Sequence, residues 1–198
     1  ENGKPITCNK NKNTTKYGLF PQRVPNNILT KDNRTKTIPV VYLIMSGMGL
    51  KTLPGDQLTN LNINAFYINN NSINKIDENV FRGMAGLDLF NINDNSISDI
   101  PRNTFKPIVN RLIYLALSHN QLSKMNPNKF RDMLNELVKL RMLYLIDNGF
   151  TQLPNLNSLK TLEEIELSEN ELESIRDAKT GEILLPAKVI DLQLRNNR

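Results

Sequence analysis

The sequence is poor in the residues on which much protein chemistry depends. It holds one cysteine and one histidine in 198 residues, too few for a zinc site, which draws most of its four ligands from those two types. No P-loop and no glycine-rich dinucleotide motif occurs, so nucleotide phosphates lack their usual cradle. No apolar run approaches the roughly 20 residues of a membrane-spanning helix, and no direct membrane span is expected. The chain begins with neither an initiator methionine nor a signal peptide, which suits a processed chain or one cut from a longer protein. Neither a metal nor a cofactor is expected.

Charge is scarce in a different sense. The formal net charge is +5, but residues 1–36 hold eight of the 25 Lys and Arg and only two of the 20 acids. The rest of the chain is close to neutral. A basic, Asn- and Thr-rich segment reads as a solvated tail rather than a basic face, and no nucleic-acid partner is expected.

What the sequence does hold is a pattern. Residues 112–125 place apolar side chains at Leu112, Leu115, Leu117, Leu122 and Met125, with an asparagine at Asn120. The spacing LxxLxLxxNxLxxL fits neither a helix nor an alternating strand over its whole length. It recurs at Asn71, Asn95, Asn120, Asn148, Asn170 and Asn197, 22 to 28 residues apart. The residues three and five before each asparagine are apolar in every case, from Ile68 and Phe66 to Leu194 and Leu192. Leu43, Met45, Leu50 and Leu53 continue the pattern upstream, with Met48 in place of the asparagine.

This is the signature of a leucine-rich repeat. The expected fold is an α/β solenoid: a curved horseshoe of about seven repeats with a parallel concave sheet. Its convex side should be irregular, with short helical or 3-10 turns. Residues 1–37 form a basic polar segment or remnant of an N-terminal cap, and 38–198 the repeat domain, whose last repeat stops before its post-asparagine leucine. The six asparagines should form a ladder, their amides bonding backbone groups freed at the turns; an alanine would leave those groups unsatisfied, at about 1–3 kcal/mol each. Phe81, Phe105 and Phe130, each ten residues after an asparagine, should stack as an aromatic spine on the convex side. Asn126 and Pro127 read as the start of a helix with Phe130, Met133, Leu134 and Leu137 on one face. Ser158 and Thr180 interrupt the spine, and residues 176–182 form a polar insertion.

Residues 38–198 resemble secreted or cell-surface leucine-rich repeat proteins of animals. The Val80-Phe81-Arg82-Gly83-Met84 context is similar to their "typical" subclass, and residues 184–192 are similar to a return found in arthropod members. The resemblance implies protein recognition or scaffolding, not catalysis. Cys8, in Pro5-Ile6-Thr7-Cys8 ahead of Val24-Pro25, resembles the end of an extracellular cysteine cap; a lone buried or free thiol remains the alternative. Sequons at Asn13, Asn33 and Asn70 suit an extracellular glycoprotein.

The binding surface of this architecture is its concave face. Outward positions on the strands present Tyr42, Tyr67, Tyr114 and Tyr144, then Glu164 and Glu166. Exposed tyrosines are what protein-binding hot spots are built from, although aromatics also pack favourably across strands. The column before the asparagines reads Asn70, Asp94, His119, Asp147, Glu169, Asn196, with Ser118 beside His119. A serine–histidine–aspartate set invites a triad, but an open surface with no oxyanion hole argues against one. His119 and Asp147 are instead candidate ligand contacts, with a weak cation site or a pH response of His119 as the alternative. A glycan on Asn70 would cover the N-terminal part of the face and push a ligand toward strands four to six. The expected role is a non-enzymatic extracellular module that binds a protein ligand. The alternatives are an accessory or structural subunit, or part of a receptor ectodomain.

Overall fold

An LxL triplet is the shortest unit that can bury two side chains on one face of a strand while turning a third outward. The computed structural model describes residues 6–7 and 42–198, apart from 56, 60, 62 and 85. The first apolar residue of each triplet is the centre of a three-residue strand: β2 (Tyr42–Ile44), β4 (Ala65–Tyr67), β6 (Leu89–Asn91), β7 (Tyr114–Ala116), β8 (Met142–Tyr144), β9 (Glu164–Glu166) and β10 (Asp191–Gln193). Together with β1 (Ile6–Thr7) they form one parallel sheet in the order β1-β2-β4-β6-β7-β8-β9-β10. Two shorter strands, β3 (Thr52–Leu53) and β5 (Lys75–Ile76), pair in a second parallel ribbon after the turns. The fold is a leucine-rich repeat solenoid of about six turns between seven repeat strands. The basic segment, Cys8, the sequons at Asn13 and Asn33, and the expected boundary at residues 37–38 lie outside the described residues.

Register is uniform. Tyr114 pairs with Met142, Leu115 with Leu143 and Ala116 with Tyr144, and the same one-for-one alignment holds between all neighbouring repeats. Inward rows therefore stack directly: Leu43, Phe66, Phe90, Leu115, Leu143 and Ile165 form one, all fully buried. A parallel sheet built this way is stabilised by each turn covering the last.

The asparagines bond in one repeating scheme. The amide of Asn120 donates to Leu117 O at 3.1 Å in its own repeat and to Ile92 O at 3.2 Å in the preceding one. Its carbonyl accepts from Ile97 N at 3.0 Å. Asn71, Asn95, Asn170 and Asn197 repeat this arrangement. Asn148 reaches Ile146 O rather than a carbonyl three residues back. Each side chain thus joins two repeats, using donors and acceptors that a turn would otherwise leave bare.

The residue before each asparagine has a left-handed backbone: Asn70, Asp94, His119, Asp147, Glu169 and Asn196 all have φ between 47° and 60°. Asn, Asp and His tolerate that region better than most side chains. In the first repeat Gly47, with φ 67°, takes the position. The composition of this column therefore reflects backbone geometry before any binding role.

The convex side differs from the expected continuous spine. Phe81 and Phe105 stack at 5.6 Å, with Phe90 edge-on to Phe81 at 4.9 Å. Phe130 stacks instead on Phe150, at 5.5 Å. The reason lies in the fourth repeat, where helix α1 (Pro127–Asn135) replaces an extended connection and carries Phe130 with it. The Asn126 side chain caps α1 by accepting from Asn128 N and Lys129 N, and Phe130, Met133, Leu134 and Leu137 are buried. The polar insertion closes on itself, with an antiparallel bridge between Arg176 and Ile183. Asp177 accepts there from the backbone of Lys179 and Thr180, and these bonds hold its carboxyl below the usual range.

Candidate ligand-binding face

Because the strands are in register, outward residues also form rows. One row runs Tyr42, Ala65, Leu89, Tyr114, Met142, Glu164, Asp191, and the other Ile44, Tyr67, Asn91, Ala116, Tyr144, Glu166, Gln193. Small Ala65 and Ala116 are buried although they point outward, so larger neighbours close over them.

Tyr114 and Tyr144 come together from adjacent strands, with ring centroids 5.0 Å apart and tilted by 36°. The Tyr144 hydroxyl donates a short hydrogen bond to Glu164 Oε1. Burial raises the ionisation of both tyrosines above the ordinary value near 10; the Glu164 hydrogen bond reinforces this for Tyr144, and the charge of Tyr67 for Tyr114. Tyr144, Glu164 and Tyr114 thus form one coupled group. Tyr67 lies half-buried two strands from Tyr114, and Tyr42 is exposed near the first repeat.

Glu166 is less free than its position suggests. Its Oε1 accepts from Ser168 N at 2.9 Å, as Asn91 Oδ1 accepts from Asn93 N, so the side chain braces its own turn. His119 Nδ1 lies 3.2 Å from Asp147 Oδ2, with both side chains open to solvent. Ser118 does not join them. It is buried, and its hydroxyl accepts from Ile146 N at 3.1 Å, a backbone role that Ser168 repeats toward Arg195 N at 3.0 Å. A buried seryl oxygen engaged by a backbone amide of the next repeat is not set up as a nucleophile.

These serines belong to a second polar column that sequence reasoning missed. Ser46 donates to Asn69 Oδ1, and Asn93 Oδ1 accepts from Ser118 N. The signal was legible as Ser or Asn two positions before most ladder asparagines. Asn70 is exposed beside this column. On the flank before the strands, Arg111 pairs with Asp88 at 2.9 Å and Arg141 with Glu163 at 2.5 Å. The Arg141 hydrogen bond holds the Glu163 carboxyl below its usual value. Among the described residues no cluster of metal-ligating side chains occurs, and no helix is long and apolar enough to cross a membrane.

The leucine-rich repeat family model matches residues 56–110 and 86–150. No curated protein sequence matches the chain. Among solved structures, the fold is similar to TLR13 in the TLR13–ssRNA13 complex, with TM-score 0.60 and 20% identity over 78% of this chain and 25% of that one. It is also similar to human 5T4 (Wnt-activated inhibitory factor 1, trophoblast glycoprotein), with TM-score 0.59 and 21% identity over 80% of this chain and 58% of that one. The chain thus spans about a quarter and somewhat over half of those two proteins. The matched repeats, which cover just under half of the chain, and the register that extends them to Asn197 give this chain the leucine-rich repeat fold.

Proposed function

We propose that this chain is a non-enzymatic protein-binding module of a secreted or cell-surface protein, and that it presents its concave sheet to a protein ligand. The observation that carries the reading is the half-exposed Tyr114–Tyr144 pair on the outward face of the seven repeat strands. Rigid aromatic side chains give large contact area at low entropic cost. The extracellular setting is supported by the sequon at exposed Asn70 and by similarity to a protein named as a glycoprotein. TLR13 is found with a single-stranded RNA, but the acidic residues of this sheet, Glu164, Glu166 and Asp191, disfavour a polyanion.

Affinity capture from extracellular fluid, with the secreted chain as bait, tests the reading. A specific partner lost with the double variant Tyr144→Glu, Glu166→Lys supports it. Equal capture by both baits sinks the concave-face assignment. A second reading, an accessory subunit held permanently in a larger assembly, is favoured by the exposure of Ile190 (84%) and Ile183 (45%), since obligate partners cover such side chains. Dependence of solubility on a co-purifying subunit would distinguish it.

A further inference from the structure

The concave face has one sign of charge and a position for it. Among the fourteen outward residues of strands β2, β4 and β6–β10, the ionised ones are Glu164, Glu166 and Asp191, and all lie on the last two strands. The left-handed column beside them adds Asp147 and Glu169. Of these five carboxylates Asp147 has His119 beside it, while Arg141 on the flank is held by Glu163. The acidic end directly adjoins the tyrosine pair: Glu164 aligns with Met142 and, one strand further, Tyr114. Asp191 aligns with Glu164.

The two features fit one occupant. An arginine or lysine side chain is attracted to the face of an aromatic ring within about 6 Å of its centroid, and its head group prefers a carboxylate for charge-assisted hydrogen bonds. Here Tyr144 lies one strand from Glu164 and two from Asp191, and Tyr114 one strand further from each. Glu164 Oε1 accepts from the Tyr144 hydroxyl, which ties this carboxylate to the tyrosine pair. We propose that this end of the concave face takes a cationic segment of the protein partner, with a lysine or arginine laid across Tyr114 and Tyr144 and its head group at Glu164 and Asp191. The inference rests on the concave face being the binding surface, and adds the chemistry of what binds there. The repeat domain beyond residue 36 is close to neutral overall, so the acidic end is a local feature of the face rather than part of a general negative field.

The test uses the full chain and three nine-residue probes, an arginine-rich, a glutamate-rich and a neutral tyrosine- and leucine-containing peptide. Binding is read in 150 mM salt by titration calorimetry. The variants are Glu164→Gln with Asp191→Asn, which removes charge and keeps shape, and Tyr114→Ser with Tyr67→Ser. Circular dichroism melts confirm that each variant folds. The arginine peptide should bind the parent chain and weaken about tenfold or more in the charge variant, as for the loss of a charge-assisted contact. It should also weaken in the tyrosine variant. No binding of the arginine peptide, equal binding by the charge variant, or preference for the glutamate peptide overturns the cationic assignment. If the neutral peptide is then lost only in the tyrosine variant, the concave face survives as the surface and its charge preference does not. If no probe distinguishes any variant from the parent, both readings fail.

Discussion

The repeats up to Asn120 and those from Asn148 onward share a sheet and a ladder but are filled differently. In the first group Phe81, Phe90 and Phe105 pack ring against ring in the core. In the second, Phe150 ends the aromatic contacts, Leu153 and Leu156 lie along an extended connection, and a hairpin replaces a spine residue. Outward residues change as well, from apolar and tyrosine-bearing up to β8 to acidic on β9 and β10. The backbone framework is thus indifferent to what fills the convex side or decorates the concave one, because strand pairing and the asparagine bonds involve neither. Function can vary along such a solenoid without disturbing its register.

The largest effect expected is in the first group. Phe81→Ala should cost about 3–5 kcal/mol, as for removal of a fully buried aromatic, measured by urea unfolding. Phe150→Ala should cost less, since that ring is 6% exposed and stacks on Phe130. Equal costs would erase the difference between the two groups.

The ladder should distinguish interior from end. Asn120→Ala strands Ile97 N in a buried site and takes one of two amide donors from Leu117 O and from Ile92 O, and should cost about 2 kcal/mol. Asn197→Ala, with the same bonds but more solvent, should cost about half as much, because water can replace the lost partners. A larger penalty at Asn197 would contradict the view that each rung acts through burial.

A smaller change of opposite sign is expected at Glu169, whose φ of 60° suits asparagine better than glutamate. Glu169→Asn should stabilise the chain by roughly 0.5 kcal/mol and raise Tm by about 1–2 °C. A fall in Tm would mean that its carboxylate has a stabilising partner.

The finest distinction is a titration. Burial, and for Tyr144 the Glu164 bond, keep Tyr114 and Tyr144 protonated beyond the ordinary tyrosine value near 10. A raised folded-state value stabilises the fold fully below the unfolded value, and that contribution is lost as pH rises through the folded one. Absorbance titration should therefore show two late-ionising tyrosines. Glu164→Gln should bring Tyr144 part of the way back, because desolvation remains. No change in the late component would remove Glu164 from the group.

The ladder asparagines and the LxL rows were legible in advance because each is a local pattern with a fixed period. The capped helix at Asn126–Pro127 was legible for the same reason. The column from Asn70 to Asn196 was visible, but its cause was not: a Ser, His and Asp set looks chemical until the backbone is seen to be left-handed. Ser118 likewise reads as a nucleophile in a string and as a backbone acceptor in the sheet. The break between Phe105 and Phe130 depended on where α1 carries its aromatic, which spacing alone does not reveal.

Periodicity by itself determined the solenoid, the strands and the rows of inward and outward residues, since a repeat that cannot bury its leucines alone must stack on its neighbours. Only the tertiary structure decided which outward residues touch. Tyr114 meets Tyr144 and Tyr144 meets Glu164 across strands 20 to 30 residues apart in the chain, whereas Glu166 turns back to its own Ser168. Those choices depend on rotamers and on space left by small residues such as Ala116, and a one-dimensional pattern carries neither.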